Sequence, residues 1–155
     1  MTTVDIPRHV LMSVAKPARY AGGEWGSVHK PLPPDGPELT RFAFCFPDTY
    51  EIGMSNLALR IIYDLLNRRE DTWCERCFAP WTDMAARMRQ LGLPLYALES
   101  RSPLHEFDLV GFTLQYELSF TNVLEMLDLG RIPLRAADRG AGDPLVVAGG
   151  PVACN

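Results

Sequence analysis

The sequence predicts an α/β protein with a doubly wound, mainly parallel sheet of about four or five strands. Two observations lead there. From Arg41 onward, short apolar blocks alternate with segments of helical period, separated by Gly, Pro and Asp. The first block, Phe42 to Phe46, is apolar at consecutive positions, as a strand covered on both faces requires. A length of 155 residues, 47% hydrophobic and 22% charged, suffices for one globular core. Before Arg41 the texture differs. Pro7, Pro17, Pro31, Pro33, Pro34 and Pro37, with Gly22, Gly23, Gly26 and Gly36, make residues 1–40 an irregular arm with one short helix near His9 to Val14.

Pro47 ends the first strand of the folded part, residues 41–155. Ser55 is placed to cap a helix whose Ala58, Ile61, Ile62 and Leu65 recur at i, i+3, i+4 and i+7, the expected inward stripe. Arg68 and Arg69 stand near its negative end. Trp73 to Phe78 reads as a second strand. Thr82 opens a helix with Met84, Met88 and Leu91 inward, and Gly92 and Pro94 stop it. Leu95 to Leu98 is expected as a short edge strand, and Leu109 to Thr113, after the Pro103 to Asp108 connector, as a fuller one. Ser119 opens a further helix striped by Phe120, Val123, Leu124 and Leu127 and closed by Gly130 and Pro133. Leu145 to Ala148 supplies the next strand. The alternation is of the flavodoxin or Rossmann kind. A crossover helix should follow the last strand, yet Pro151 to Asn155 are all that remain. The sheet is therefore expected to be incomplete at its C-terminal end and open to self-association near 145–148.

Fifteen basic against nineteen acidic residues give a net charge of -4, without a run of Lys or Arg to follow a phosphate backbone, so nucleic acid is not an expected partner. No apolar run approaches the about 20 residues of a membrane helix, and no secretory signal opens the chain; the expected location is the cytoplasm. Cysteines at 45, 74, 77 and 154 then read as reduced thiols. On a strand, Cys74 and Cys77 point to opposite faces and no second pair follows, which favours buried thiols over zinc. Cys45 and Cys154 both fall near the carboxyl edge of the sheet. His9, His29 and His105 lie in the arm or a connector and read as surface residues.

Open α/β sheets bind ligands beyond the carboxyl ends of their strands. Three loops reach that edge, at 48–53, 113–116 and 149–150. Asp48 as a turn former, Gly53 as a backbone accommodation and Gly149-Gly150 as a plain turn stand beside any functional reading. Taken in order, however, the loops carry a pattern. Asp48-Thr49-Tyr50-Glu51-Ile52-Gly53 resembles the Asp-x-His-x-x-Gly signature of the cobalamin-binding domain, with Tyr50 in the histidine's place. Thr113-Leu114-Gln115 resembles its second element, Ser-x-Leu, and Gly149-Gly150 its third. With Lys16-Pro17-Ala18-Arg19-Tyr20, Gly22-Gly23-Glu24, Phe46 to Met54, Leu98-Glu99-Ser100 and Gly111 to Leu118, the chain from about Lys16 onward resembles a family of radical S-adenosylmethionine (radical SAM) proteins with a cobalamin-binding-type N-terminal region.

The resemblance implies a cofactor module without catalytic or metal-ligating residues of its own. It would hold cobalamin through Asp48, Tyr50, Gly53, Thr113, Gln115, Tyr116, Gly149 and Gly150. A phenol with a pKa near ~10 is a poor neutral ligand for cobalt, so bound cobalamin would lack histidine ligation, with Tyr50 lining its lower face. If cobalamin does not bind, the fold is retained without its cofactor. The Cys-x-x-x-Cys-x-x-Cys motif that holds [4Fe-4S] and S-adenosylmethionine is absent here. It is expected in a downstream radical SAM domain, the implied partner, and this chain alone should show no turnover. The rival reading is a structural or interaction domain of the same protein. A nucleotide-using enzyme ranks last, lacking both G-x-G-x-x-G and a phosphate-loop Gly-Lys-Ser/Thr. Arg19, Tyr20, Glu24 and Trp25 either cap the ligand edge or pack the arm on the sheet.

Overall fold

A computed structural model describes residues 2–31 and 39–154; Pro33, Pro34, Gly36, Pro37 and Asn155 lie outside the described residues. The arm opens with α1 (Arg8–Leu11), then a 3-10 turn at Pro17–Tyr20. Its apolar side chains Val4, Ile6, Val10, Val14 and Tyr20 are buried in the same core as the sheet. The helix is shorter than predicted because Ser13 turns its hydroxyl onto the Val10 carbonyl, a local bond that competes with the next helical turn.

Beyond the arm run β1 (Thr40–Phe46), α2 (Tyr50–Ser55), α3 (Leu57–Asn67), β2 (Thr72–Phe78), α4 (Thr82–Leu91), β3 (Leu109–Thr113), α5 (Phe120–Leu129) and β4 (Leu145–Gly149). Every strand pair is parallel and the order is β2-β1-β3-β4, so the predicted doubly wound parallel sheet is what forms. The chain winds outward from β1 to β2, then back past β1 to β3 and β4. Right-handed crossovers then place α3 on one face and α4 with α5 on the other. Arg89 of α4 reaches Glu125 of α5 at 3.0 Å across that second layer.

The helix faces differ in part from their expected stripes. Asn56, rather than Ser55, caps α3 by accepting from the Leu59 N–H at 3.0 Å, while the Ser55 hydroxyl bonds back to Ile52 at the end of α2. Leu59 and Tyr63 face the sheet, with Leu66 partly buried. The expected inward residues Ala58, Ile61, Ile62 and Leu65 face solvent. α3 is apolar on both sides, so periodicity does not choose between them. The choice is made at Asn67, whose amide bonds both the N–H and the C=O of Cys74, and at Tyr63, whose hydroxyl accepts from the Val28 N–H. In α4 Ala85 joins Met84 and Met88 inward, and Leu91 is left exposed. α5 buries Met126, Leu127 and Leu129, with Phe120 and Leu124 outside.

Residues 95–98 form no strand of their own. Leu95 donates to the Leu129 carbonyl, Leu98 to the Arg76 carbonyl, and the chain reverses at Arg101, which takes a φ of 59°. The segment seals the outer edge of β2. That strand is buried at all seven positions although Glu75 and Arg76 sit side by side in it. Alternation sends the two charges to opposite faces. On one, Arg41 bonds Glu75 and the Ser100 hydroxyl while its guanidinium lies 4.2 Å from the Phe107 ring centre. On the other, Arg76 reaches Glu99 at 2.6 Å and Glu24 at 3.1 Å, with the Tyr63 ring 4.6 Å away. Glu99 also accepts the Arg76 N–H, and the Ser100 N–H donates to Glu75. The Leu98-Glu99-Ser100 string is thus an edge cover built from paired charge.

Candidate functional site

At the carboxyl edge, Pro47 releases the chain from β1 into α2. Asp48 uses both carboxylate oxygens there: Oδ1 accepts the Thr49 N–H at 2.7 Å, and Oδ2 accepts the Tyr116 hydroxyl at 2.5 Å. The second bond ties the loop after β1 to the loop after β3. It also holds the Tyr116 phenol above its ordinary pKa, because ionisation would set a phenolate against the carboxylate; partial burial acts the same way. Asn122 of α5 donates to the Pro47 carbonyl at 2.9 Å, and Gln115 donates to the Thr113 hydroxyl at 2.7 Å. The Gly149 carbonyl accepts the Leu114 N–H at 2.7 Å, bringing the third loop to the same edge.

The glycines of the predicted site differ in what they do. Gly150 takes a φ of 112° and lies so close to Leu114 that a Cβ would meet its backbone nitrogen at 2.9 Å. Gly53 is demanded by packing rather than by φ, since a methyl there would run into the Phe78 ring and stand 3.1 Å from Phe46. Gly149 faces open space.

Asp48, Thr113, Gln115, Tyr116, Gly149 and Gly150 therefore gather at one edge, whereas Tyr50 turns aside. Its ring meets Phe78 edge-on at 5.3 Å and lines a small cavity with Arg19, Tyr20 and Leu98 under the arm. Burial, then Glu24, pushes its phenol pKa up. Around the shared edge stand exposed apolar side chains: Leu118 at 83%, Ile52 at 48% and Phe120 at 39% of their full surface. Periodicity assigned Phe120 to the core, and Ile52 and Leu118 carried no signal beyond their apolar character in loop-flanking positions.

The arm clamps this edge from the β2 side. Lys16 and Arg19 both pair with Glu51 in the first turn of α2, at 2.9 and 2.8 Å, and hold its carboxyl down at about 2, Lys16 contributing most. Arg19 also lies 5.7 Å from the Trp81 ring centre. The sequence contained this clamp as Lys16-Pro17-Ala18-Arg19-Tyr20, but its acceptor, Glu51, lies 32 positions beyond Arg19.

Among the described residues no histidine reaches the carboxyl edge. His29 lies near Trp73, His105 bonds the Gly130 carbonyl, and His9 lines a surface hollow with Arg87 and Gln90. The Tyr50 ring, which stands in the histidine's place in the motif, packs on Phe78 instead of facing the carboxyl edge. Among these residues no three His, Cys, Asp or Glu side chains converge as a metal site. Cys45, Cys74 and Cys77 are free and buried, and Cys154 is free and exposed. Cys45 stands in register with Cys77, and burial, then that neighbour, pushes its thiol well up. No helix of the described residues is long and apolar enough to cross a membrane.

No curated protein and no solved structure matches the chain. A family model does match, covering residues 58–155, from within α3 through β4 and the loops of Tyr116 and Gly149-Gly150. It describes radical SAM proteins, N-terminal, and this chain belongs to that family.

Proposed function

We propose that this chain is a non-catalytic interaction module of a radical SAM protein, and that its carboxyl edge receives the downstream catalytic domain. The observation that carries the reading is how this edge uses its groups. Asp48 with Tyr116 and Gln115 with Thr113 bond one another, while Ile52, Leu118 and Phe120 are left in water. Polar groups satisfied internally beside exposed apolar ones favour burial against a protein surface. The cluster and S-adenosylmethionine belong to the downstream domain, and the reaction is that domain's. Four free thiols suit a reducing compartment, and we place the protein in the cytoplasm.

The test is Leu118→Asp in the full-length parent protein. Charge at the centre of the contact should loosen it, giving faster amide exchange over residues 116–124 and slower S-adenosylmethionine cleavage. Equal exchange over that stretch in the parent and in this chain alone sinks the proposal.

A second reading has one observation in its favour: Gly149 leaves open space on the edge where Asp48 and Tyr116 meet. Cobalamin could lie there without histidine ligation. A titration followed by absorbance and calorimetry separates the readings. Saturable binding with a spectrum free of imidazole ligation supports the cofactor module, and no binding by the chain or by Tyr50→His removes it.

A further inference from the structure

The two edges of the sheet are finished differently. On β2 the outward backbone groups along most of the strand are answered: Cys74 by Asn67, Arg76 by Glu99 and Leu98, and the Thr72 carbonyl by Lys30. On β4, Leu145 donates to Asp108 and Gly149 accepts from Leu114, so the odd-numbered residues bond β3. The amides and carbonyls of Val146 and Ala148 then point away from the sheet. Leu-Val-Val-Ala-Gly has no Pro, Lys or bulge to discourage a further strand.

The face of the sheet beside α3 is also half bare. Register places Leu145 and Val147 on the same face as Leu109, Gly111 and Phe42. Leu145 is 62% and Val147 41% exposed, and the Phe42 ring lies over Gly111. Arg60 and Asp64 line a cavity of about 420 Å³ with Trp25 and Arg76, which fixes that flank of α3 toward the arm. The helical repeat turns Ala58 and Ile62, both exposed, to the other flank, on the β1 side of the helix. The result is a trough with an apolar floor of Phe42, Leu145 and Val147 and an apolar wall of Ala58 and Ile62.

We infer that the polypeptide following this module in its radical SAM parent adds a parallel strand to β4 and lays a helix in this trough. The family supplies the occupant, since an N-terminal region continues into the rest of its protein. Winding supplies the geometry: a sheet ordered 2-1-3-4 is extended by a fifth strand outside the fourth, and a helix returning from it lies beside the helix that follows the first strand. The inference rests on family membership and concerns a different surface from the carboxyl edge.

Hydrogen exchange on the full-length parent tests it. The Val146 and Ala148 amides should be protected as well as that of Phe112 in β3. In a Cys154→Ser background, Val147→Cys should react with a maleimide about 100-fold more slowly in the parent than in this chain alone. Solvent-like exchange at those amides in the parent, or equal labelling rates, overturns the inference. Protection that appears in this chain alone and grows with its concentration also overturns it, by showing a second copy on the edge. Leu118→Cys labelled in parallel reports on the carboxyl edge, so failure there is told apart from failure here.

Discussion

Replacing Glu99 with Leu should destabilise this chain more than most single substitutions. The carboxylate accepts from the Arg76 N–H at 2.7 Å and from Arg76 Nε at 2.6 Å, and both side chains are at most 7% exposed. Removing it leaves the buried guanidinium with one carboxylate partner, Glu24, at a longer 3.1 Å, beside the Met54 sulfur and the Tyr63 ring. Breaking a buried pair from one side costs about 3–5 kcal/mol, because the surviving charge keeps its desolvation without its partner. For a domain of this size that corresponds to a Tm lower by about 6–20 °C. Arg76→Met should cost about as much for the mirrored reason. The double variant should cost less than the two singles added, by at least about 2 kcal/mol, since no charge is then stranded between those positions. Urea unfolding followed by tryptophan emission reads all three, provided the slope m is unchanged. Single variants within about 1 kcal/mol of the parent, or a double variant equal to the sum of the singles, would refute the assignment of the 98–102 edge cover to paired charge.

The Glu51 carboxyl, held at about 2 in the fold against an ordinary value of 4.5, contributes stability above pH 4.5 that is lost as pH falls toward 2. It is 43% exposed, so screening keeps the effect below about 1 kcal/mol; Glu51→Gln should abolish that component of an acid titration followed at Trp81, and an identical titration in the variant argues against the clamp. Asn56→Ala should cost about 1 kcal/mol and Ser55→Ala much less, with equal losses by chemical denaturation contradicting the cap at Asn56. Gly53→Ala should cost about 1–3 kcal/mol by driving a methyl into the Phe78 ring. Trimming that ring with Phe78→Leu should recover part of the loss, and no recovery places the cause elsewhere.

The strands were legible in the sequence because a strand buried on both faces leaves a continuous apolar run, as Phe42 to Phe46 shows. Trp73 to Phe78 was legible despite its charges, since its aromatic and thiol positions outweigh one Glu and one Arg. The inward face of α3 was not legible: Leu57 to Leu66 is apolar on two sides, and the deciding contacts come from Val28 and Cys74, distant in the chain. For the same reason Leu95 to Leu98 looked like a strand. Its apolar residues do sit against a sheet edge, but the edge is completed by the Glu99 and Ser100 that follow. At the carboxyl edge the residue types marked the three loops, but not which side chains would turn inward. Tyr50 shares a motif with Asp48 and yet is drawn to Phe78, a residue contributed by another strand.

The adjacent charges of β2 have one further consequence, for the alignment of the strand during folding. Glu75 faces Arg41, and Arg76 faces Glu99 and Glu24, so each face of the sheet is prepared for one sign alone. Sliding β2 by a single residue would exchange the faces, turning Glu75 toward two carboxylates and Arg76 toward a guanidinium, both out of reach of water. An apolar strand could slip at the cost of some packing. This one would meet like charge on both sides at once, so the Glu-Arg dipeptide acts as a two-sided key that admits β2 to the sheet in one alignment.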